Sequence, residues 1–394
     1  MSRLEELIAE LCPDGVEYVK LSSICEIKRG ERVTKSQLMA DGKYPVFSGG
    51  VSPMGYYDSY NREKETITIA QYGTAGYVNW INEDFWANDV CYSLYPNEKI
   101  NKRFLYFVLV NMQEFIYSLR IDAVPAHMPA ERLESIKIPL PPIPIQQEIV
   151  RILDNLTDLT TELKEKLTSE LIARRKQFEY YRDQIIHIHA TNKGKTIALK
   201  DICAFVTVGI ANSATHAYSD SGIVMFRNQN IKENYLDDSD IIYINEEFEE
   251  KYKTKRLKKD DILVTRTGYP GQACLVPEKY EGSQTFTTLI ARLRNTDEVS
   301  PKYICYFINS NFGKAYVNSV KTGAAQQNFG SKALENMPII IPPFEVQKKI
   351  SEYLDHLNTV YSDMLSSLTA EIDARQKQYE YYRDKLLTFK EVKS

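Results

Sequence analysis

The chain contains nearly the same decapeptide twice: QFEYYRDQII ends at Ile186 and QYEYYRDKLL ends at Leu387, 201 residues later. A repeat on this scale constrains architecture before any single motif does, because each copy must build the same supersecondary unit. At that offset residues 138–186 align with 339–387 without a gap, and 20 of the 49 positions are identical. Pro141/Pro342, Pro142/Pro343, Gln146/Gln347, Leu153/Leu354, Asp154/Asp355 and Arg174/Arg375 all keep register. Weaker echoes continue upstream: NKRFLYF matches SPKYICYF at 200, YGTAG matches TGYPG at 195, and LSSIC matches LKDIC at 178. The offset grows toward the repeated helix, so the second globular part is about 23 residues longer. The order is globular module, helix, globular module, helix.

The helical parts carry an apolar stripe. In the first, Ile149, Ile152, Leu156, Leu159, Leu163, Leu167, Leu171, Phe178, Tyr181 and Ile185 recur at heptad-like spacing. In the second, Ile350, Tyr353, Leu357, Val360, Met364, Leu368, Ile372, Tyr379, Tyr382 and Leu386 do the same. This predicts two helices of about 40 residues, roughly 60 Å long. Pro-Pro cannot continue a helix, so LPPIPIQQ and IPPFEVQ mark where each module hands over to its helix. One such helix cannot bury its stripe alone. Pairing the two within the chain, antiparallel and with a pseudo-two-fold axis, is simpler than a stalk between two chains.

The modules mix β-rich runs (ETITIA, DILVTRTG) with amphipathic helices (RFLYFVLVNMQEFIYSL, KYICYFINSNFGKAYVNSV). The expected fold class is α+β: two globular mixed α/β modules joined by two long antiparallel helices. The expected segments are an N-terminal helical segment (1–20), module 1 (21–140), a central helix (141–190), module 2 (197–341) and a C-terminal helix (342–394).

Several classes of function find no support in the residues. There is no run of the ~20 apolar residues that a membrane span needs, and MSRLEELIAELCPDG reads as an amphipathic helix, so a cytoplasmic protein is expected. Six cysteines (Cys12, Cys25, Cys91, Cys203, Cys274, Cys305) lack CxxC spacing and read as reduced, mostly buried thiols. The sequence has no GxxxxGK[ST] loop, no GxGxxG, no Asn/Asp-Pro-Pro-Tyr/Phe run, no GxSxG and no HExxH. No catalytic residue, metal site or cofactor is expected in this chain.

Four patches fit nucleic-acid binding. KRGERVTK brings Lys28, Arg29, Arg32 and Lys35 to a turn near the start of module 1. KYKTKRLKK, which includes Lys255 and Arg256, follows the acidic NEEFEE and could equally balance it. The matched turns Gly73-Thr-Ala-Gly76 and Gly268-Tyr-Pro-Gly271 place Gln71 and Tyr72 opposite Arg266 and Thr267, with Ser48 and Tyr269 in neighbouring loops. Gln and Arg read A and G edges bidentately. Gln326, Gln327 and Asn328 align with Pro125, Ala126 and His127. The 27 tyrosines also suit wet recognition surfaces, while a net charge of −4 and charge-neutral modules leave little positive surface for phosphates.

Taken in order, LIAELCPDGVEYVKL, YPVFSGGVSPMGYYD, YGTAG, DDILVTRTG, the Pro-Pro runs with a following Gln, and the duplicated YYRD make the chain resemble the specificity subunit of a type I restriction-modification system. The resemblance covers the whole chain. It implies that each module is a target-recognition domain reading one half of a bipartite, asymmetric double-stranded DNA site, with the helices as a spacer. It implies partners: two methyltransferase subunits that use S-adenosylmethionine on adenine N6, and two restriction–translocase subunits that use ATP and Mg. Tyr180, Tyr181 and Arg182, with Tyr381, Tyr382 and Arg383, are the expected methyltransferase interface.

Overall fold

The computed structural model describes residues 3–190, 194–211, 214–322 and 327–392. The chain divides into two units, Met1–Leu167 with Ala370–Ser394, and Thr168–Thr369. Both boundaries fall inside long helices, Ile143–Ala190 (48 residues) and Phe344–Leu387 (44 residues), each starting directly after its Pro-Pro pair. No helix among the described residues is long and apolar enough to cross a membrane.

The first unit is built on a four-stranded antiparallel sheet in the order Cys25–Arg29, Cys91–Pro96, Thr66–Ala70, Val78–Ile81. Thr66–Ala70 is buried along its whole length, so the run TITIA packs on both faces. A second small sheet orders Tyr56–Tyr57, Tyr44–Phe47 and Trp86–Ala87, the last pair parallel. Helices Lys102–Asn111 and Gln113–Ser118 bury Phe104, Leu105, Phe107, Val108, Leu109 and Ile116 in the core. Glu17–Lys20 pairs with Lys137–Leu140, closing the module at the mouth of the helix. The C-terminal tail pairs beside this ribbon: Val16 N–H donates to the Lys390 carbonyl at 2.9 Å, and Val392 N–H to the Val16 carbonyl at 3.0 Å.

The second unit repeats the frame: Cys203–Val208, Leu289–Leu293, Ile262–Val264, Ala273–Leu275 in the same order, and Lys195–Ala198 paired with Pro338–Ile341. Its additional length supplies the hairpin Ile231–Lys232/Tyr235–Leu236, with Asn234 at φ 69, and the short helix Glu246–Glu250.

The repeated glutamine has a structural reason. Gln146 is fully buried; it accepts from Asn101 N–H at 2.7 Å and donates to the carbonyls of Pro141 (2.7 Å) and Lys99 (3.2 Å). Gln347 accepts from Ser300 N–H at 2.9 Å and donates to Pro342 (2.9 Å) and Glu298 (3.2 Å). In each unit one amide satisfies the backbone where a loop, a Pro-Pro pair and a helix start converge. Leaving such buried groups unpaired costs about 1–3 kcal/mol each.

Helix pairing is antiparallel within each unit. In the first, Thr157 meets the Tyr379 hydroxyl at 3.0 Å and Lys164 donates to Gln376 at 2.8 Å. In the second, Phe178 stacks on Tyr361 at 4.7 Å and His189 lies 6.3 Å from Tyr353. The expected apolar stripe is only partly covered: Leu159, Tyr181, Tyr353 and Val360 are exposed, because a two-helix seam shields one narrow face of each helix. All six cysteines are buried.

Candidate nucleic-acid interface

In the first unit three loops converge on one surface. Asn88, nearly fully buried, is the hub: its side chain accepts from Val33 N–H (2.9 Å) and donates to the Val33 carbonyl (3.1 Å), while its own N–H donates to the Phe47 carbonyl (2.8 Å). It thereby holds the basic loop against the loop carrying Ser48. That second loop meets the Gly73–Gly76 turn: Thr74 donates to the Gly49 carbonyl from its N–H (2.8 Å) and its hydroxyl (2.9 Å). The third loop joins through the Tyr72–His127 bridge, with the two rings stacked at 5.7 Å.

Lys28, Arg29, Arg32 and Lys35 are exposed, but Lys28 and Arg29 end the strand Cys25–Arg29 and do not sit in a turn. Lys28 pairs with Glu26 at 3.1 Å and lies 4.9 Å from the Tyr95 ring. Ser48 and Tyr72 are half-buried. Gln71 is buried, and its carbonyl accepts from Met128 N–H at 2.9 Å, so it sits beneath the loops.

The second unit places different side chains on equivalent bridges: Thr267 with Asn328, and Thr322 with Asn328, where the first has Tyr72 with His127, and Ile121 with His127. Arg266 Nε donates to Asn328 Oδ1 at 3.0 Å, and its carbonyl accepts from Phe329 N–H at 2.9 Å. Asn228 accepts from Arg266 N–H (2.9 Å) and donates to the hydroxyls of Thr267 (3.3 Å) and Thr287 (3.2 Å). Tyr269 is 81% exposed at the tip of its turn, and Gln327 is exposed beside it. Gln326 lies outside the described residues.

Lys255 and Arg256 have internal uses. Lys255 donates to the carbonyls of Val208 (2.8 Å) and Gly209 (2.9 Å). Arg256 forks onto buried Glu249 at 2.8 and 2.5 Å, and this hydrogen bond holds the Glu249 carboxyl below its usual range. The basic block thus does balance its acidic neighbour. Asn88, Asn228 and His127 are the organising residues absent from the sequence-derived site; the last aligns with Asn328, which was the available signal.

The duplicated YYRD divides into two faces. Tyr180 and Tyr181 are exposed with rings 5.5 Å apart at 67°, and Tyr381 and Tyr382 are exposed at 5.5 Å and 69°. The arginines turn inward. Arg182 is fully buried, bonds Asp183 at 3.2 and 3.3 Å and lies 3.8 Å from Glu233, leaving Nη1 without a hydrogen-bond partner. Asp183 in turn accepts from Asn311 N–H at 3.0 Å, at the start of a module helix. Arg383 is half-buried and donates to Asn111 Oδ1 at 3.0 Å, and Asn111 donates to Asp384 at 3.2 Å.

Comparison with known proteins agrees with this arrangement. The family model for the type I restriction modification DNA specificity domain matches twice, over residues 13–173 and 192–374. S.HindORF215P of Haemophilus influenzae, assigned as a type I restriction enzyme specificity subunit, is 33% identical over 95% of this chain and 96% of its own length. The EcoR124I/EcoR124II specificity subunit of Escherichia coli is 30% identical over 99% of this chain and 97% of its own. A chain from a solved structure of a type I restriction-modification system shares the fold, with a TM-score of 0.71 at 15% identity over 96% of this chain and 98% of that one. The chain belongs to the type I restriction-modification DNA specificity family, as its specificity subunit.

Proposed function

We propose that each module reads one half of a bipartite, asymmetric double-stranded DNA site, and that the two long helices set the gap between the half-sites. The observation that carries this reading is a repeated frame with changed side chains. The same bridge holds Tyr72 and His127 in one unit and Thr267 and Asn328 in the other, where Arg266 joins Asn328. Two rigid, equivalent presentations of unlike polar groups suit two unlike half-sites. In the first unit Lys28, Arg29, Arg32 and Lys35 supply the phosphate contacts beside the readers.

The chemistry belongs to partners: two methyltransferase subunits that carry S-adenosylmethionine and flip the target adenine, and two ATP- and Mg-dependent restriction subunits. The exposed tyrosine pairs are the methyltransferase contacts, since rigid amphipathic rings suit interfaces and all four stand exposed among the described residues.

The test is methylation-sensitive long-read sequencing of genomic DNA with and without this gene, the methyltransferase partner being present in both. The expected result is loss of a split motif carrying N6-methyladenine on both strands. An unchanged methylome, with the complex assembled, would refute the reading.

A further inference from the structure

The turn Gly268-Tyr-Pro-Gly271 roofs a cavity of about 290 Å³ in the second unit, lined also by Arg175, Lys314, Lys321 and Glu233. Arg175 contacts Glu179 at 3.5 Å, and Lys314 pairs with Glu233 at 2.8 Å. Lys321 has no ion-pair partner among the described residues, so the cluster carries an uncompensated cation at the edge of the turn. One backbone donor adds to it. The Gly268 N–H faces the Gln327 carbonyl across the Thr267–Asn328 bridge. The Tyr269 N–H finds no acceptor among the described residues, and a Cβ added at the neighbouring Gly268 would have nothing within 4 Å. The equivalent donor in the first unit is used: Thr74 N–H bonds the Gly49 carbonyl. A free N–H at the tip of a tight turn, beside an unpaired cation in a concave site, attracts an anion.

We infer that this pocket takes a phosphate group of the DNA backbone, held by the Tyr269 amide, Lys321 and Arg175, with exposed Tyr269 beside the bases being read. The inference rests on the DNA-reading function proposed above and adds a residue-level anchor for the second half-site. A phosphate fixes register without reading sequence. The second module therefore obtains its anchor from a turn and a long-helix arginine, whereas the first has an exposed basic loop.

The experiment uses the chain assembled with its methyltransferase partner and measures DNA affinity between about 50 and 200 mM salt. The proteins are wild type, Lys321→Gln, and Arg175→Gln/Lys321→Gln. The duplexes carry the cognate site, a scrambled second half-site, or single methylphosphonates across the second half-site. Thermal melting of each variant confirms that it folds. The double variant is expected to bind about tenfold more weakly on cognate and scrambled DNA alike, with the log–log salt slope shallower by roughly 1–2. One methylphosphonate position should weaken wild type but not the double variant.

Unchanged affinity and slope in a complex that still discriminates its site would overturn the pocket assignment alone. A loss confined to cognate DNA would also overturn it, by making these residues base readers. Binding of inorganic pyrophosphate that the substitutions abolish, with DNA affinity intact, would assign the pocket to a free phosphate ligand and overturn the DNA assignment. Failure of the wild-type complex to discriminate at all would overturn the underlying reading and this inference with it.

Discussion

The two glycine turns occupy the same place in the same frame, yet one is closed and the other open. At Gly73–Gly76 the chain is pressed against Gly49, whose carbonyl takes both Thr74 donors, and a Cβ on Gly73 would stand 2.5 Å from that oxygen. At Gly268–Gly271 the tip faces open space. The cause lies in a third segment. Gly49 follows Phe47 by two residues, and Asn228 follows Phe226 by two; both phenylalanines end equivalent parallel pairings. Glycine lets backbone meet backbone, since a Cβ on Gly49 would lie 2.3 Å from the Tyr72 carbonyl. Asparagine has a side chain and uses it to bridge Arg266, Thr267 and Thr287 instead. One residue type thus converts a backbone-sealed turn into a side-chain-spanned, open one, and this is how a duplicated frame acquires two different recognition surfaces.

The largest expected difference between the units concerns the paired arginines. Removing Arg182 leaves the half-buried Asp183 without its cation and Glu233 with Lys314 alone, so Arg182→Ala should cost about 3 kcal/mol. Arg383→Ala, losing a bond to a neutral and partly solvated Asn111, should cost about 1 kcal/mol. Chemical denaturation of both variants checks this, and equal losses would show that the buried charge cluster contributes nothing special to the second unit.

Next in size are the turns themselves. Both Gly73 (φ +73) and Gly268 (φ +79) sit in the left-handed region, so an alanine costs each about 1–2 kcal/mol. Gly73→Ala adds the clash with Gly49 and should lose roughly 3 kcal/mol in all. Gly268→Ala should lose only about 1 kcal/mol. Hydrogen exchange of the two sheets would resolve the effects separately; a Gly268 variant as damaged as the Gly73 variant would contradict an open second turn.

Much of this frame could be read from the sequence because it is local. The Pro-Pro pairs set the helix starts, the glycines mark the turns, and the gapless 201-residue offset exposed Gln146 and Gln347 before their bonds were known. The uses of the basic residues were not legible, because they depend on distant partners. Lys255 reaches carbonyls 47 and 46 positions away, and Asn88 joins a loop 55 positions away. The inward turn of Arg182 did have a signal: Phe178, Arg182 and Ile186 are four apart and all buried, so the arginine lies on the apolar face. Tyr379, Arg383 and Leu387 repeat the spacing.

The exposed tyrosine pairs offer the smallest effect on stability and a demanding check on the likeness of the two units. Their ring geometries agree within 2°, at 67° and 69°, so Tyr180→Ala/Tyr181→Ala and Tyr381→Ala/Tyr382→Ala should each change stability by less than about 0.5 kcal/mol. If each pair seats one methyltransferase, either double variant should retain a single partner subunit, and the quadruple variant none, as read by the mass of the purified complex. The surroundings differ in one respect. Tyr382 borders a groove of about 620 Å³ lined by Leu4, Glu5 and Ile8 of the N-terminal helix, which has no duplicate in the second half of the sequence. A partner lost from the 381–382 variant alone would therefore mean that this helix, and not the repeated tyrosines, defines the first seat.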